Sequence, residues 1–149
     1  HTPGHCGNHL CFAMDGTAGN FFSADMVMGW STSVVSPPDG DMAAYMNSLE
    51  RLIARGDADR MYLCGHGPRL PEPAPYLAAL KAHRLEREAK TLEALRTAGT
   101  ATAAELVPPV YGPLDPRLVG PAGRSLLSHL IKLEGEGAVV REGKRWRTR

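Results

Sequence analysis

Apolar side chains recur at three- and four-residue steps from Met42 through Tyr45, Met46, Leu49, Leu52 and Ile53, which puts them on one face of a helix. Asp41 stands where an N-cap belongs and Gly56 follows just past the end, so the spacing predicts a helix of about three to four turns. On either side the pattern shortens. His9–Met14 and Asn20–Ala24 read as strands joined by the turn-rich Asp15-Gly16-Thr17-Ala18-Gly19, and Met61–Cys64 reads as a third strand. Strand, strand, helix, strand is a small set from which to close a core.

The later part of the chain is helical. Tyr76 to Arg96 is a run of helix formers with Leu77, Leu80, Leu92 and Leu95 among its apolar positions, ending at Gly99. Thr102 and Glu105 have capping-box spacing and predict a short helix from Ala103 to about Val107, stopped by Pro108 and Pro109. Leu126, Leu127, Leu130, Ile131 and Leu133 mark a third helix, begun as early as Pro116, broken near Gly120-Pro121 and ended by Gly135 and Gly137. Ala138–Arg141, a Glu142-Gly143 turn and Lys144–Arg147 then predict a small basic hairpin. Three helices followed by a two-stranded flap is the order of a winged helix.

Between these parts, prolines at 68, 71, 73 and 75 argue against both regular helix and ladder pairing, so the expected domain division is 1–72 and 73–149. Charge divides at the same place. The first part carries four arginines against eight acids, net −4, and the second thirteen basic residues against eight acids, net +5. The total of +1 excludes a uniformly basic nucleic-acid coat, and any charge argument has to be regional. With 149 residues, 43% hydrophobic and 22% charged, the chain is expected to fold as one medium or two small globular domains.

No apolar run approaches the roughly 20 residues that span a bilayer, so no membrane partner and a cytoplasmic address are expected. Cys6, Cys11 and Cys64 fit no disulfide framework and are expected as reduced thiols, Cys11 and Cys64 packing as small hydrophobes. Met26, Met28, Met42 and Met46 are expected to fill the core. His83 and His129 are expected in solvent or in local hydrogen bonds. The chain opens on His1 inside a turn-like motif, and the natural protein is expected to extend upstream.

Three side chains that can hold a cation sit where strands should end. They are His5 in Thr2-Pro3-Gly4-His5, Asp25 in Phe22-Ser23-Ala24-Asp25, and His66 in Gly65-His66-Gly67-Pro68. Gly4, Gly65 and Gly67 free the backbone for tight turns that would aim these groups off a sheet edge. A Cys6/His9 pair has the Cys-x-x-His spacing of a zinc knot, but no second thiolate pair follows it.

His1-Thr2-Pro3-Gly4-His5, Phe22-Ser23-Ala24-Asp25 and Gly65-His66-Gly67-Pro68, in this order, resemble the third, fourth and fifth metal motifs of the metallo-β-lactamase-fold hydrolases. Gly29-Trp30-Ser31-Thr32-Ser33 and Pro38-Asp39-Gly40-Asp41-Met42 resemble the lactamase-β-2-like subgroup, in which a winged-helix-like domain follows the catalytic one. The resemblance covers essentially the whole chain. It implies an α/β fold class: the carboxy-terminal half of a metallo-β-lactamase αββα domain (1–72) followed by an α-helical winged-helix-like domain (73–149). It also implies that His5 and Asp25 ligate metal, that Asp25 bridges two ions, that His66 completes the second site, and that His1 is the non-ligating start of its motif.

Two divalent metal ions, Zn²⁺ in the first instance, would by this resemblance activate a hydroxide for attack on an ester, thioester, lactam or phosphodiester bond. The family also uses a His-x-His-x-Asp-His cluster that does not occur in these 149 residues. The resemblance therefore implies an incomplete centre, an inactive chain by itself, and the upstream half of the same fold as its partner. No catalytic residue is assigned. A small-molecule substrate or a single-stranded nucleic acid would be the other partner, the latter on account of the basic second half and with endoribonuclease activity as its form, and a homo-oligomer is left open. Two other classes compete. One is a non-enzymatic winged-helix nucleic-acid-binding module that would present Arg124, Ser128 and Lys132 to a major groove, and the other is a stable fragment without activity.

Overall fold

The computed structural model describes residues 1–14, 16 and 19–149; of the expected first turn, Asp15, Thr17 and Ala18 lie outside the described residues. Four strands, β1 (Phe12–Ala13), β2 (Asn20–Ala24), β3 (Met61–Cys64) and β4 (Leu70–Pro71), form one sheet in that order. β1 is antiparallel to β2, β2 parallel to β3, and β3 antiparallel to β4. Parallel neighbours need a crossover, and α1 (Met42–Ile53) lies within it. α1 starts where the sequence indicates, with the Asp41 carboxylate accepting from the Ala44 N–H. Its far end differs from expectation: Gly56 opens a short 3₁₀ turn over Gly56–Ala58 instead of closing the helix.

The sheet and α1 bury one cluster: Phe21 stacked on Tyr62 at 4.8 Å, with Met26, Val35, Tyr45 and Leu49 fully enclosed. Met42 and Met46 belong to it, while Met28 is half-buried. Cys11 and Cys64 pack at its margin, and the three cysteines are free thiols.

α2 (Ala74–Ala98), β5 (Ala101–Thr102), α3 (Ala103–Tyr111), α4 (Pro116–Gly135), β6 (Val139–Glu142) and β7 (Arg145–Thr148) build the second part. A second cluster sits here, with Leu95, Leu106, Leu126, Leu130 and Trp146 at its centre. Leu77 and Leu80 belong to the first cluster and Leu95 to the second, so α2, which begins just after the 72/73 division, serves both clusters. Among the described residues no helix is long and apolar enough to cross a membrane.

Four local expectations are corrected. The proline-rich stretch does pair: Leu70 and Pro71 form the outermost strand, where a missing donor is tolerated. α3 runs through Pro108 and Pro109 to Tyr111. Two interior prolines cost about 3 kcal/mol or more each, which the roughly 1.5–3 kcal/mol from burying Val110 offsets only in part. The Thr102 capping box fixes the start of that helix from both sides. α4 is unbroken at Gly120-Pro121, since Asp115 caps its first turn and Pro121 lies little more than one turn further on. The wing turns one residue late, at Gly143-Lys144 between the paired Glu142 and Arg145, and β5 adds a third strand in the order β5-β7-β6.

Of the helical histidines, His129 is corrected. His129 is 1% exposed, with Nδ1 at 3.2 Å from Glu88 Oε2, while Lys132 reaches Glu88 and Glu136 at 2.8 Å each. His83 is half-buried and accepts the expected local hydrogen bond, from Arg87 Nε at 3.4 Å. Burial pushes the His129 pKa below its ordinary 6.5, opposed by Glu88, and Glu88 is held low by its bonds to His129 and Lys132 despite its own burial. A histidine kept neutral in the fold binds a proton more readily when unfolded. Its stabilising contribution is therefore complete above its unfolded pKa and is lost as pH falls through the folded one, and Glu88 adds loss at lower pH. The urea midpoint is expected to drop between pH 7 and pH 5, with a shallower drop in His129→Leu. A midpoint flat across that window would contradict this.

Candidate functional site

Each of the three candidate groups emerges from the end of a local structure that the sequence explains. Asp25 follows β2, and Ala24 just before it takes a left-handed φ of 45°, which turns the carboxylate off the strand where the β2–β3 register slips. Such a backbone costs on the order of 1–3 kcal/mol and persists only where its surroundings hold it. Ser33 does so, its hydroxyl donating to the Asp25 and Met26 carbonyls. His66 follows β3 on the Gly65-His66-Gly67-Pro68 loop. A Cβ on Gly65 would fall 2.7 Å from Asp25 Oδ1, so glycine is what lets the carboxylate approach.

His5 comes from a loop held by α1. The Gly4 carbonyl accepts from the Asp41 N–H, Asp39 Oδ1 accepts from the Gly7 N–H at 3.1 Å, and the Ser48 hydroxyl donates to Pro3 O.

The structure brings the three side chains together. His5 Nε2 is 3.7 Å from Asp25 Oδ2, and His66 Nε2 is 3.5 Å from Asp25 Oδ1, so the imidazoles address different oxygens of one carboxylate. His5 Nδ1 lies 2.7 Å from the Val34 carbonyl, which can only accept. In the neutral ring the proton is therefore on Nδ1, and Nε2 turns a lone pair toward a carboxylate oxygen. Two acceptors face each other there. Among the described residues no three His, Cys, Asp or Glu side chains form a cation site by themselves.

His9 is the residue that sequence reasoning missed. It belongs to no zinc knot: the Asp25 N–H donates to its Nε2 at 3.2 Å, and its Nδ1 pairs with the Thr2 hydroxyl at 2.9 Å. Thr2 in turn donates to Cys11 Sγ, and the Cys11 thiol to the Ser23 carbonyl. Each donor thus meets an acceptor if His9 is neutral, and burial, with His5 nearby, lowers its pKa in that direction. The sequence marks it by spacing alone, four residues after His5 and three after Cys6. His1 stays at the edge, its Nε2 on the Gly7 carbonyl.

The groups expected to read a major groove are not gathered on one free face. Ser128 is buried, and Lys132 is held by Glu88 and Glu136. On the wing, Arg145 pairs with Glu105 and Arg147 with Glu142, while Arg141 lies over the Trp146 ring at 5.3 Å.

Comparison with known proteins gives concordant matches. Residues 102–146 match the beta-lactamase associated winged helix domain. The beta-lactamase-like protein 2 homolog of Drosophila melanogaster is 32% identical over 139 residues, 92% of this chain and 45% of that protein. An atrochrysone carboxyl ACP thioesterase of Aspergillus chevalieri is 30% identical over 158 residues, 98% of this chain and 49% of that protein. Among solved structures, a metallo-beta-lactamase family protein of Thermus thermophilus matches with a TM-score of 0.83 at 27% identity, covering 99% of this chain and 48% of that one. A beta-lactamase domain protein of Burkholderia ambifaria shares the fold with a TM-score of 0.84 at 24% identity, covering 99% and 46%. The chain spans about half the length of the curated relatives it matches.

Proposed function

Because the chain belongs to the metallo-β-lactamase superfamily, as a carboxy-terminal region of that fold with its associated winged helix, we propose that it forms part of the active centre of a metal-dependent hydrolase. The observation that carries this reading is the lone pair of His5 Nε2 facing Asp25 Oδ2, an arrangement that a cation between them relieves. Asp25 would bridge two divalent ions, zinc in the first instance, with His5 on one and His66 on the other, and the remaining ligands would come from chain outside these 149 residues. The donor set fits, since neutral imidazole and carboxylate are ligands for such ions and each half-site has one of both.

Bound there, the ions would supply Lewis acidity toward the scissile group and lower the pKa of a water. The protein's own work is positioning. Val34 fixes the His5 tautomer, His9 holds the Asp25 backbone, and Ser33 pins the turn that aims the carboxylate.

As substrate class we infer an acyl thioester ahead of a single-stranded nucleic acid. In support, several relatives carry thioesterase names, and most of the wing's basic groups are engaged by carboxylates or a ring within the same domain. As partner we infer the other half of the fold: Phe12 and Phe22 are register neighbours on β1 and β2, 59% and 42% exposed, an apolar face suited to another layer of the same domain.

The 149-residue chain is expected to bind Zn²⁺ weakly, to lose that binding in Asp25→Ala, and to show no thioester turnover. In a complete polypeptide, His66→Ala is expected to lower thioester turnover by at least about 100-fold, since a ligand matters more than the outer-shell partners worth 10–100-fold. Calorimetric titration and a thiol-release assay check both. Turnover that survives Asp25→Ala would end the metal-centre reading.

A further inference from the structure

A cavity of about 340 Å³ lies between the Ser31–Val34 loop, the middle of α2 and the first half of α4. It borders the Asp25 site only through Ser33 and Val34, and its chemistry is different. Arg84 and Arg87 line it. Arg84 is 3% exposed, donates to the Ser33 carbonyl and lies 4.9 Å over the Tyr45 ring. Arg87 donates to the Val110 carbonyl at 2.9 Å and stacks on Tyr111.

Neither guanidinium has a carboxylate partner among the described residues; the acids nearest in sequence, Glu86 and Glu88, are bound to Lys90 and Lys132. A charge withdrawn from water without a counter-ion is costly.

Two donors in the same lining have no acceptor. Arg84 Nε is buried without a hydrogen-bond partner, and so is His83 Nδ1. Arg87 Nε donates to His83 Nε2 at 3.4 Å, which makes Nε2 the acceptor of the neutral ring and leaves the proton on Nδ1. Burial lowers the pKa of His83 and so favours that neutral form. Leaving buried N–H groups unsatisfied costs about 1–3 kcal/mol each. An anion lodged in the cavity would offset the unpaired charges of Arg84 and Arg87. Leu114, Leu118 and Pro121 give the lining an apolar side, beside the hydroxyl-bearing Ser31, Thr32 and Ser125.

We propose that this cavity binds an anionic head group, a carboxylate or a phosphate monoester, carried on an apolar chain. The head sits against His83, Arg84 and Arg87, and the chain runs along Leu114, Leu118 and Pro121 toward the exposed end of α4. The assignment does not depend on the hydrolase reading, because no metal takes part in it.

Metal-free 149-residue chain labelled with ¹⁵N, titrated with octanoate, octyl phosphate and neutral octanamide, tests it. Saturable shifts are expected at Ser33, His83 and Ser125 with at least one anion, and octanamide should bind at least about tenfold more weakly. The tighter anion identifies the head group. Arg87→Met should weaken the anion about tenfold. Leu118→Asp, at a position 53% exposed and therefore tolerant of substitution, should weaken it through the chain end without disturbing the arginines. No saturable shift with either anion would overturn the proposal, and so would octanamide binding as tightly as octanoate. Affinity unchanged in Leu118→Asp and in a folded Arg87→Met would overturn it as well.

Discussion

Gly4→Ala should unfold the first part of the chain. Gly4 has φ 141°, a region that side chains rarely enter, and a Cβ built there falls 2.3 Å from the Tyr45 Cα and 2.5 Å from its nitrogen. The obstacle is helix backbone, which cannot step aside as a flexible side chain would. Tyr45 is fully buried in the first turn of α1, its hydroxyl donates to the Met26 carbonyl, and the Gly4 carbonyl itself accepts from Asp41, the cap of that helix. Relief would mean parting the His5 loop from α1. The expected loss is on the order of 4 kcal/mol or more, combining a forbidden conformation with overpacking. Urea denaturation followed by tyrosine fluorescence measures it. A loss under about 1 kcal/mol would mean that the loop does not dock on α1 as described.

Gly4 also shows what a sequence can and cannot say. The glycines beside His5 and His66 read as freedom to turn, and Gly4 and Gly67 do have positive φ. For Gly4 and Gly65 the governing reason is close approach, to the Tyr45 backbone and to Asp25 Oδ1, and partners 41 and 40 residues away leave no local signature. Features whose cause is local are legible. The Asp41 cap of α1 and the Thr102–Glu105 box of α3 each need only residues three apart. Features decided by packing are not: α3 continues across two prolines and buries Val110, and β5 is a strand only because β7 lies beside it.

The site divides in the same way. Strand ends and glycines suggest where His5, Asp25 and His66 lie, and the family resemblance groups them. Their orientation depends on Val34, 29 residues from His5, and on His9, 16 residues from Asp25, and neither carries a motif. His129 escapes sequence reading for a related reason. A histidine among charged neighbours in sequence reads as surface, yet Glu88, 41 residues away, gives it a partner inside the helix packing.

Trp146→Ala should separate the two parts of the chain. The indole is 2% exposed on β7, paired in register with Ala101 on β5 and Arg141 on β6, and it lies in the cluster that α3 and α4 close. Removing an aromatic side chain from such a place costs about 3–5 kcal/mol, a large share of the 5–15 kcal/mol that holds a domain together. The first cluster contains no residue beyond Leu80, so its strands and α1 keep their contacts when the second loosens. Amide exchange is therefore expected to speed up in α3, α4, the wing strands and the end of α2 from Thr91 onward. Protection is expected to persist in β2, β3, α1 and the first turns of α2, the pattern of two cooperative units divided within α2, between Leu80 and Thr91. The coupling that opposes this runs through α2, where Arg84 bonds to Ser33 and stacks on Tyr45 while Glu88, one turn on, holds His129 and Lys132. If protection falls everywhere together, that bridge outweighs the division, and the two clusters form a single folding unit.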